Sequence, residues 1–136
     1  MRGWREMGGG RVENVLVVED EVLLLDLVTA ELEDAGLTVL QADNANAALG
    51  MLATDTPVDL LFTDIRLPGP MDGWTLAEAA LKLRPGLKVI YATGFAGDAP
   101  RLAPGSLFFT KPYRPSAVIA AIAAFGTAEP PSPAVP

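Results

Sequence analysis

The chain has 136 residues, half of them hydrophobic, and a formal net charge of −7 at pH 7. That length suits one domain with a real core, and charges such as Glu31, Glu33 and Asp34 keep every apolar run well short of the roughly 20 residues that cross a bilayer. Cys and His are both absent, which excludes disulfides, thiolate metal sites and imidazole catalysis, while the acidic balance disfavours a binder of nucleic-acid phosphates. Met1–Arg11 lacks the apolar stretch of a signal peptide, so a cytoplasmic location is expected. Residues 1–13 read as a flexible N-terminal segment and 14–126 as the domain. The tail 127–136, with Pro130, Pro131, Pro133 and Pro136, reads as disordered.

Val15-Leu16-Val17-Val18 is a short apolar run ending at acids, as expected of a strand buried on both faces. The pattern predicts a helix over Glu21–Ala35 stopped by Gly36, then a strand over Thr38–Ala42. Asn44 is placed to cap a helix from Ala45 to about Thr54, and Asp59–Thr63 predicts a third strand leading into Asp64. A Pro/Gly-rich loop, Leu67–Gly73, precedes a helix predicted over Trp74–Leu83 that Arg84-Pro85-Gly86 ends. Lys88–Ala92 and Leu107–Phe109 predict the fourth and fifth strands, and Pro115 is suited to open a last helix running to about Phe125. Between the last two strands, Gly97, Pro100, Pro104 and Gly105 oppose a regular helix. The expectation is therefore five strands, four good helices and a degraded fourth crossover.

Strands alternating with helices make an α/β fold, a parallel sheet with helices on both faces. Ligands of such sheets bind beyond the carboxyl ends of the strands, where the strand order reverses. With the order 2-1-3-4-5 that point lies between strands one and three. Glu19 and Asp20 end the first strand and Asp64, 44 residues after Asp20, ends the third. Three carboxylates brought together repel one another. A hard divalent ion resolves the repulsion, and oxygen-only ligands favour Mg²⁺. A carboxylate beside the ion can itself be a nucleophile and form an acyl phosphate. Thr93 and Lys111 close strands four and five, where a hydroxyl and an ammonium can bind phosphoryl oxygens.

At these residues the chain resembles the receiver domain of two-component response regulators. The matching pieces are Val15 to Glu21, Asp59 to Asp64 with Pro68 and Met71-Asp72-Gly73, then Thr93-Gly94, then Lys111-Pro112. The resemblance implies a doubly wound, flavodoxin-like sheet of order 2-1-3-4-5. It implies that Asp64 accepts phosphate from a histidine kinase or a histidine phosphotransfer protein, in a Mg²⁺-dependent step that works a conformational switch. It makes Asp20 a direct metal ligand, Glu19 a ligand largely through water, and the backbone carbonyl of Arg66 the remaining protein ligand beside Asp64. Thr93 and Lys111 would bind the phosphoryl group, and Phe108 would occupy the aromatic switch position.

Two spacings depart from the family's usual pattern. The loop Pro68-Gly69-Pro70-Met71-Asp72-Gly73 is one residue longer, and the interval of 18 residues from Thr93 to Lys111 is short. Tyr91-Ala92-Thr93-Gly94-Phe95 resembles the signature of the "FATGUY" receivers, many of them single-domain with an irregular fourth helix. Phe108 lies in an apolar strand and reads more simply as core, and Asp59 and Asp72 as turn residues. In the first helix Leu24, Leu27, Val28, Leu32 and Ala35 form a core stripe. Val22, Leu25 and Thr29 fall on an adjacent strip. Because the family docks this helix on kinase helices, Val22 and Leu25 are the expected contacts. A Mg²⁺-dependent phosphohydrolase with an aspartate nucleophile is an alternative, but those enzymes carry a second acid where this chain has Arg66. A receiver-like interaction module without phosphorylation is another. No output domain is expected within the chain, so it reads as a stand-alone receiver or one excised from a larger protein.

Overall fold

In the computed structural model, residues 11–94 and 101–125 are described. The elements run β1 (Asn14–Val18), α1 (Val22–Asp34), β2 (Thr38–Ala42), α2 (Ala45–Leu52), β3 (Leu60–Asp64), α3 (Gly73–Leu83), β4 (Lys88–Thr93), β5 (Leu107–Thr110) and α4 (Pro115–Phe125). Every pairing is parallel and the order is β2-β1-β3-β4-β5. This is the five-stranded α/β sheet that the alternation predicts.

Side chains alternate across the sheet, so each strand feeds two cores. Leu16, Val18, Leu61, Val89 and Tyr91 pack on one face against α2 and α3 residues such as Leu52, Leu76 and Ala77. Val15, Val17, Leu60, Phe62, Ile90 and Ala92 pack on the other against Leu25, Val28 and Leu32 of α1 and Val118 and Ile122 of α4. Each large aliphatic buried this way contributes about 1.5–3 kcal/mol. All five residues of β3 are buried, which fixes the strand that ends in Asp64 at the centre of the molecule.

Helix ends follow local chemistry. Gly36 at φ 96° closes α1, with Gly36 N–H donating to Glu33 O and Leu37 N–H to Leu32 O, the bonding of a Schellman motif. Asn44 caps α2 by accepting from Ala47 N–H at 2.8 Å. Helix α2 ends at Leu52, two residues before the expected limit, where the Thr54 hydroxyl turns back onto Met51 O. Asp72, expected as a turn residue, is the cap of α3 and accepts from Thr75 N–H at 2.9 Å. Asp59 accepts from the N–H groups of Glu13 and Asn14 and from the Asn14 amide, joining the start of β1 to β3.

Expectations for α1 and for Phe108 are corrected. On α1, Leu25 is core at 7 % exposure, whereas Leu27 is 52 % exposed and Ala35 is exposed. Leu23-Leu24-Leu25 is a continuous apolar run, so several stripes fit the helix; its packing on the sheet and α4 selects the one through Leu25, Val28 and Leu32. The exposed apolar strip is Val22, Leu23 and Leu27. Phe108 is not core: it is 43 % exposed, because β5 is an edge strand whose side chains alternate between half-buried and exposed. Between β4 and β5 the described residues 101–106 form no helix, only a turn closed by Ser106 N–H on Ala103 O. Phe95–Pro100 lie outside the described residues, as do the tail 127–136 and most of the N-terminal segment 1–13. Among the described residues no helix is long and apolar enough to cross a membrane.

Candidate functional site

Strand register assembles the site. Val18 is level with Thr63, Asp64 with Ala92, and Thr93 with Thr110. The residues that follow or end these strands, Glu19, Asp20, Asp64, Thr93 and Lys111, therefore meet at one rim. Backbone bonds carry the register past the strand ends: Glu19 N–H donates to Ala42 O, Ile65 N–H to Ala92 O and Lys111 N–H to Thr93 O.

One oxygen from each of Glu19, Asp20 and Asp64 lies within 4.8 Å of the other two. Glu19 and Asp64 are buried and Asp20 is exposed. The Lys111 ammonium spans the buried pair, donating to Glu19 Oε1 at 2.8 Å and Asp64 Oδ2 at 2.9 Å. Each carboxylate has a backbone donor as well: Glu21 N–H to Glu19 Oε2 at 3.1 Å and Arg66 N–H to Asp64 Oδ1 at 3.3 Å. With all three carboxylates ionised against one ammonium, two negative charges stay uncompensated, which a divalent cation would neutralise.

The electrostatics follow from burial. Desolvation raises the Glu19 carboxyl above its ordinary value; the bonds from Lys111 and Glu21 offset part of this, and the Asp64 charge adds to it. Burial alone would lower Lys111, but its bonds to Glu19 and Asp64 outweigh that and hold the ammonium above its ordinary value. Tyr113, two residues on, is pushed up to about 12 by burial and then by the negative charge of Glu19. Its ring packs edge-on against Phe62 at 5.4 Å.

The loop after Asp64 also shapes the rim. Gly69 takes φ 90°, a conformation glycine adopts without strain. Pro68, Gly69, Pro70 and Met71 face Asp20, Asp43 and Asn44 across an open groove of about 440 Å³. The loop then returns so tightly that a Cβ at Gly73 would stand 2.1 Å from the Asp64 carbonyl oxygen. Only glycine fits there.

The residues singled out in the sequence thus divide. Glu19, Asp20, Asp64 and Lys111 converge, with buried Thr93 and the backbone of Arg66 beside them. Phe108 stands apart on the edge strand, Val22 is exposed at the start of α1, and Leu25 is in the core. Sequence reasoning assigned no role to Tyr113 or Trp74. Tyr113 follows Lys111-Pro112 at a spacing that marks nothing by itself. Trp74 looked like one more apolar residue of a helix.

The comparisons agree with this fold. The family model of the response regulator receiver domain matches residues 15–123. The response regulator receiver protein CpdR of Brucella abortus is 37 % identical over 97 residues, which cover 66 % of this chain and 79 % of that protein. The transcriptional regulatory protein AruR of Pseudomonas aeruginosa is 39 % identical over 95 residues, covering 67 % of this chain but 38 % of that longer protein. A crystal structure of a response regulator receiver protein from Sinorhizobium medicae superposes with a TM-score of 0.79 at 30 % identity, covering 86 % of this chain and 96 % of that one. The chain belongs to the family of response regulator receiver domains, the signalling modules of two-component systems.

Proposed function

We propose that Asp64 is the phosphoacceptor of a phosphorelay, taking a phosphoryl group from the phosphohistidine of a histidine kinase or phosphotransfer protein in the cytoplasm. One observation carries this reading: Lys111 bonds at once to Glu19 and Asp64, and the oxygens of both acids lie within 4.8 Å of Asp20. A carboxylate oxygen of Asp64 attacks phosphorus, a P–O bond forms, and the P–N bond breaks as imidazole leaves with the electron pair. Lys111 is oriented beside Asp64 by Glu19, so its ammonium can pass to a phosphoryl oxygen without leaving the pocket. Thr93, buried at the end of β4, supplies a hydroxyl for a second oxygen.

The donor set supports Mg²⁺: three carboxylates with no nitrogen or sulfur ligand suit a hard ion. Asp20 and Asp64 would hold it, with the Arg66 carbonyl and with Glu19 through water. When bound, the ion supplies charge neutralisation at the phosphoryl oxygens. Val22, Leu23 and Leu27 form the apolar strip of α1 that suits docking of the donor, and Leu25 takes no part in it. Phosphorylation then biases a two-state surface.

Titration with beryllium fluoride and Mg²⁺, read by NMR, tests the reading. Amide shifts at residues 19, 20, 64 and 93 are expected in the native chain and not in Asp64→Asn. An unresponsive native chain would leave a receiver-like interaction module. Multiple turnovers of a small phosphate ester would instead favour a phosphohydrolase.

A further inference from the structure

Gly73 and Trp74 open α3, and together they join the backbone of Asp64 to an aromatic stack that ends at the surface. The Gly73 N–H donates to Ile65 O at 2.7 Å, and the missing Cβ lets its backbone lie against the carbonyl of Asp64. No side chain separates the first turn of α3 from the peptide that carries the acceptor. Trp74 comes next, buried and packed on two rings that stand side by side on neighbouring strands. Tyr91 lies 4.7 Å away at 48°, and Phe108 lies 6.3 Å away within 5° of parallel. Tyr91 is buried in β4 and its hydroxyl accepts from Ala103 N–H at 3.2 Å. The same segment reaches α3 at the surface, where Arg101 bonds Glu78 at 2.8 Å.

The stack contains one polar fault. Trp74 Nε1 is buried and has no acceptor among the described residues. An indole N–H removed from water without an acceptor is disfavoured, and native structures keep few such groups. A rearrangement that gives Nε1 an acceptor would relieve this, so the present packing has a competitor that a modest perturbation can favour. Packed elements with two arrangements turn small local shifts into switches.

On the reading of Asp64 as the phosphoacceptor, we infer that Trp74 is the positioning residue that carries the state of Asp64 to the β5 edge. A phosphoryl group on Asp64 displaces the first turn of α3, Trp74 turns to pair Nε1, and its stack on Phe108 opens. The output of the switch is then the half-exposed Phe108 ring with the segment 101–106, tied to the same stack through Tyr91.

The chain has two tryptophans, Trp4 and Trp74. The full chain carrying Trp4→Phe therefore reports Trp74 alone. Beryllium fluoride is titrated in with Mg²⁺, fluorine NMR reads uptake, and Trp74 emission and the amide shifts of residues 101–110 read the response. Emission is expected to change with the same midpoint as uptake. Phe108→Ala, which removes the ring that Trp74 stacks on, is expected to take up the ligand and lose that change. Trp74→Phe, which keeps a ring but no N–H, is expected to take up the ligand and lose the shifts at 101–110. Uptake with unmoved Trp74 emission and unmoved 101–110 amides would overturn the inference and leave Asp64 as acceptor. No uptake at all would overturn both.

Discussion

At Glu19, function and stability pull in opposite directions. Burial holds its carboxyl above the ordinary value despite the bonds from Lys111 and Glu21. An acid raised in the folded state contributes stability that is fully present below pH 4.5 and lost as pH rises through the raised value. At pH 7 the ionised Glu19 is thus a net cost. Glu19→Gln is expected to raise the urea midpoint at pH 7 without divalent ions and to weaken Mg²⁺ binding in calorimetric titration. A lowered midpoint would contradict the burial argument. Tyr113 has the same sign in another window: its proton is held to about 12 folded against 10 unfolded, so its share of stability is complete below pH 10 and lost toward pH 12. The urea midpoint should fall across that interval, and Tyr113→Phe should fall less. Gly73→Ala places a methyl group on the Asp64 carbonyl. About 1–3 kcal/mol of destabilisation is expected from such overpacking, together with weaker beryllium fluoride uptake.

Helix α1 separates packing from recognition within one element. Leu25 belongs to the core, and Leu25→Ala should cost about 2–5 kcal/mol in urea unfolding. Val22 and Leu23 are 62 % and 82 % exposed, so Asp at either position should change stability by no more than about 0.5 kcal/mol. Both Asp variants are expected to slow phosphotransfer from the cognate donor while leaving beryllium fluoride uptake intact. Unchanged transfer rates would remove this face of α1 from the docking surface. The stretch before β5 works differently: Arg101 on Glu78 and Ala103 on Tyr91 hold residues 101–106 against α3 and β4 without a helix.

For the whole molecule, a ligand that binds only the folded state adds stability by mass action, about 2.7 kcal/mol at a hundredfold excess over its dissociation constant. Mg²⁺ is accordingly expected to raise the melting temperature in proportion to the logarithm of its concentration, and a chelator to reverse this. Asp20→Asn should flatten the dependence, since it removes the exposed ligand of the three. A native chain whose melting temperature ignores Mg²⁺ would argue against an ion at Glu19, Asp20 and Asp64.

The element order and the position of each acid at a strand end were legible in the chain, because buried parallel strands read as continuous apolar runs bounded by acids, Pro and Gly. Gly36 and Asn44 likewise announce helix ends through purely local chemistry. Local patterning could not choose which leucines of α1 face inward, since a run of three fits more than one stripe and the sheet with α4 decides. Nor could it show that Phe108 stands exposed on an edge strand, or that Tyr113 shares the field of Glu19. Above all, the 44 residues from Asp20 to Asp64 close to within 4.8 Å, and the 47 from Asp64 to Lys111 close to a hydrogen bond, only through sheet register. Side chains that distant in the chain meet by long-range packing, and such contacts leave no periodic trace in the sequence.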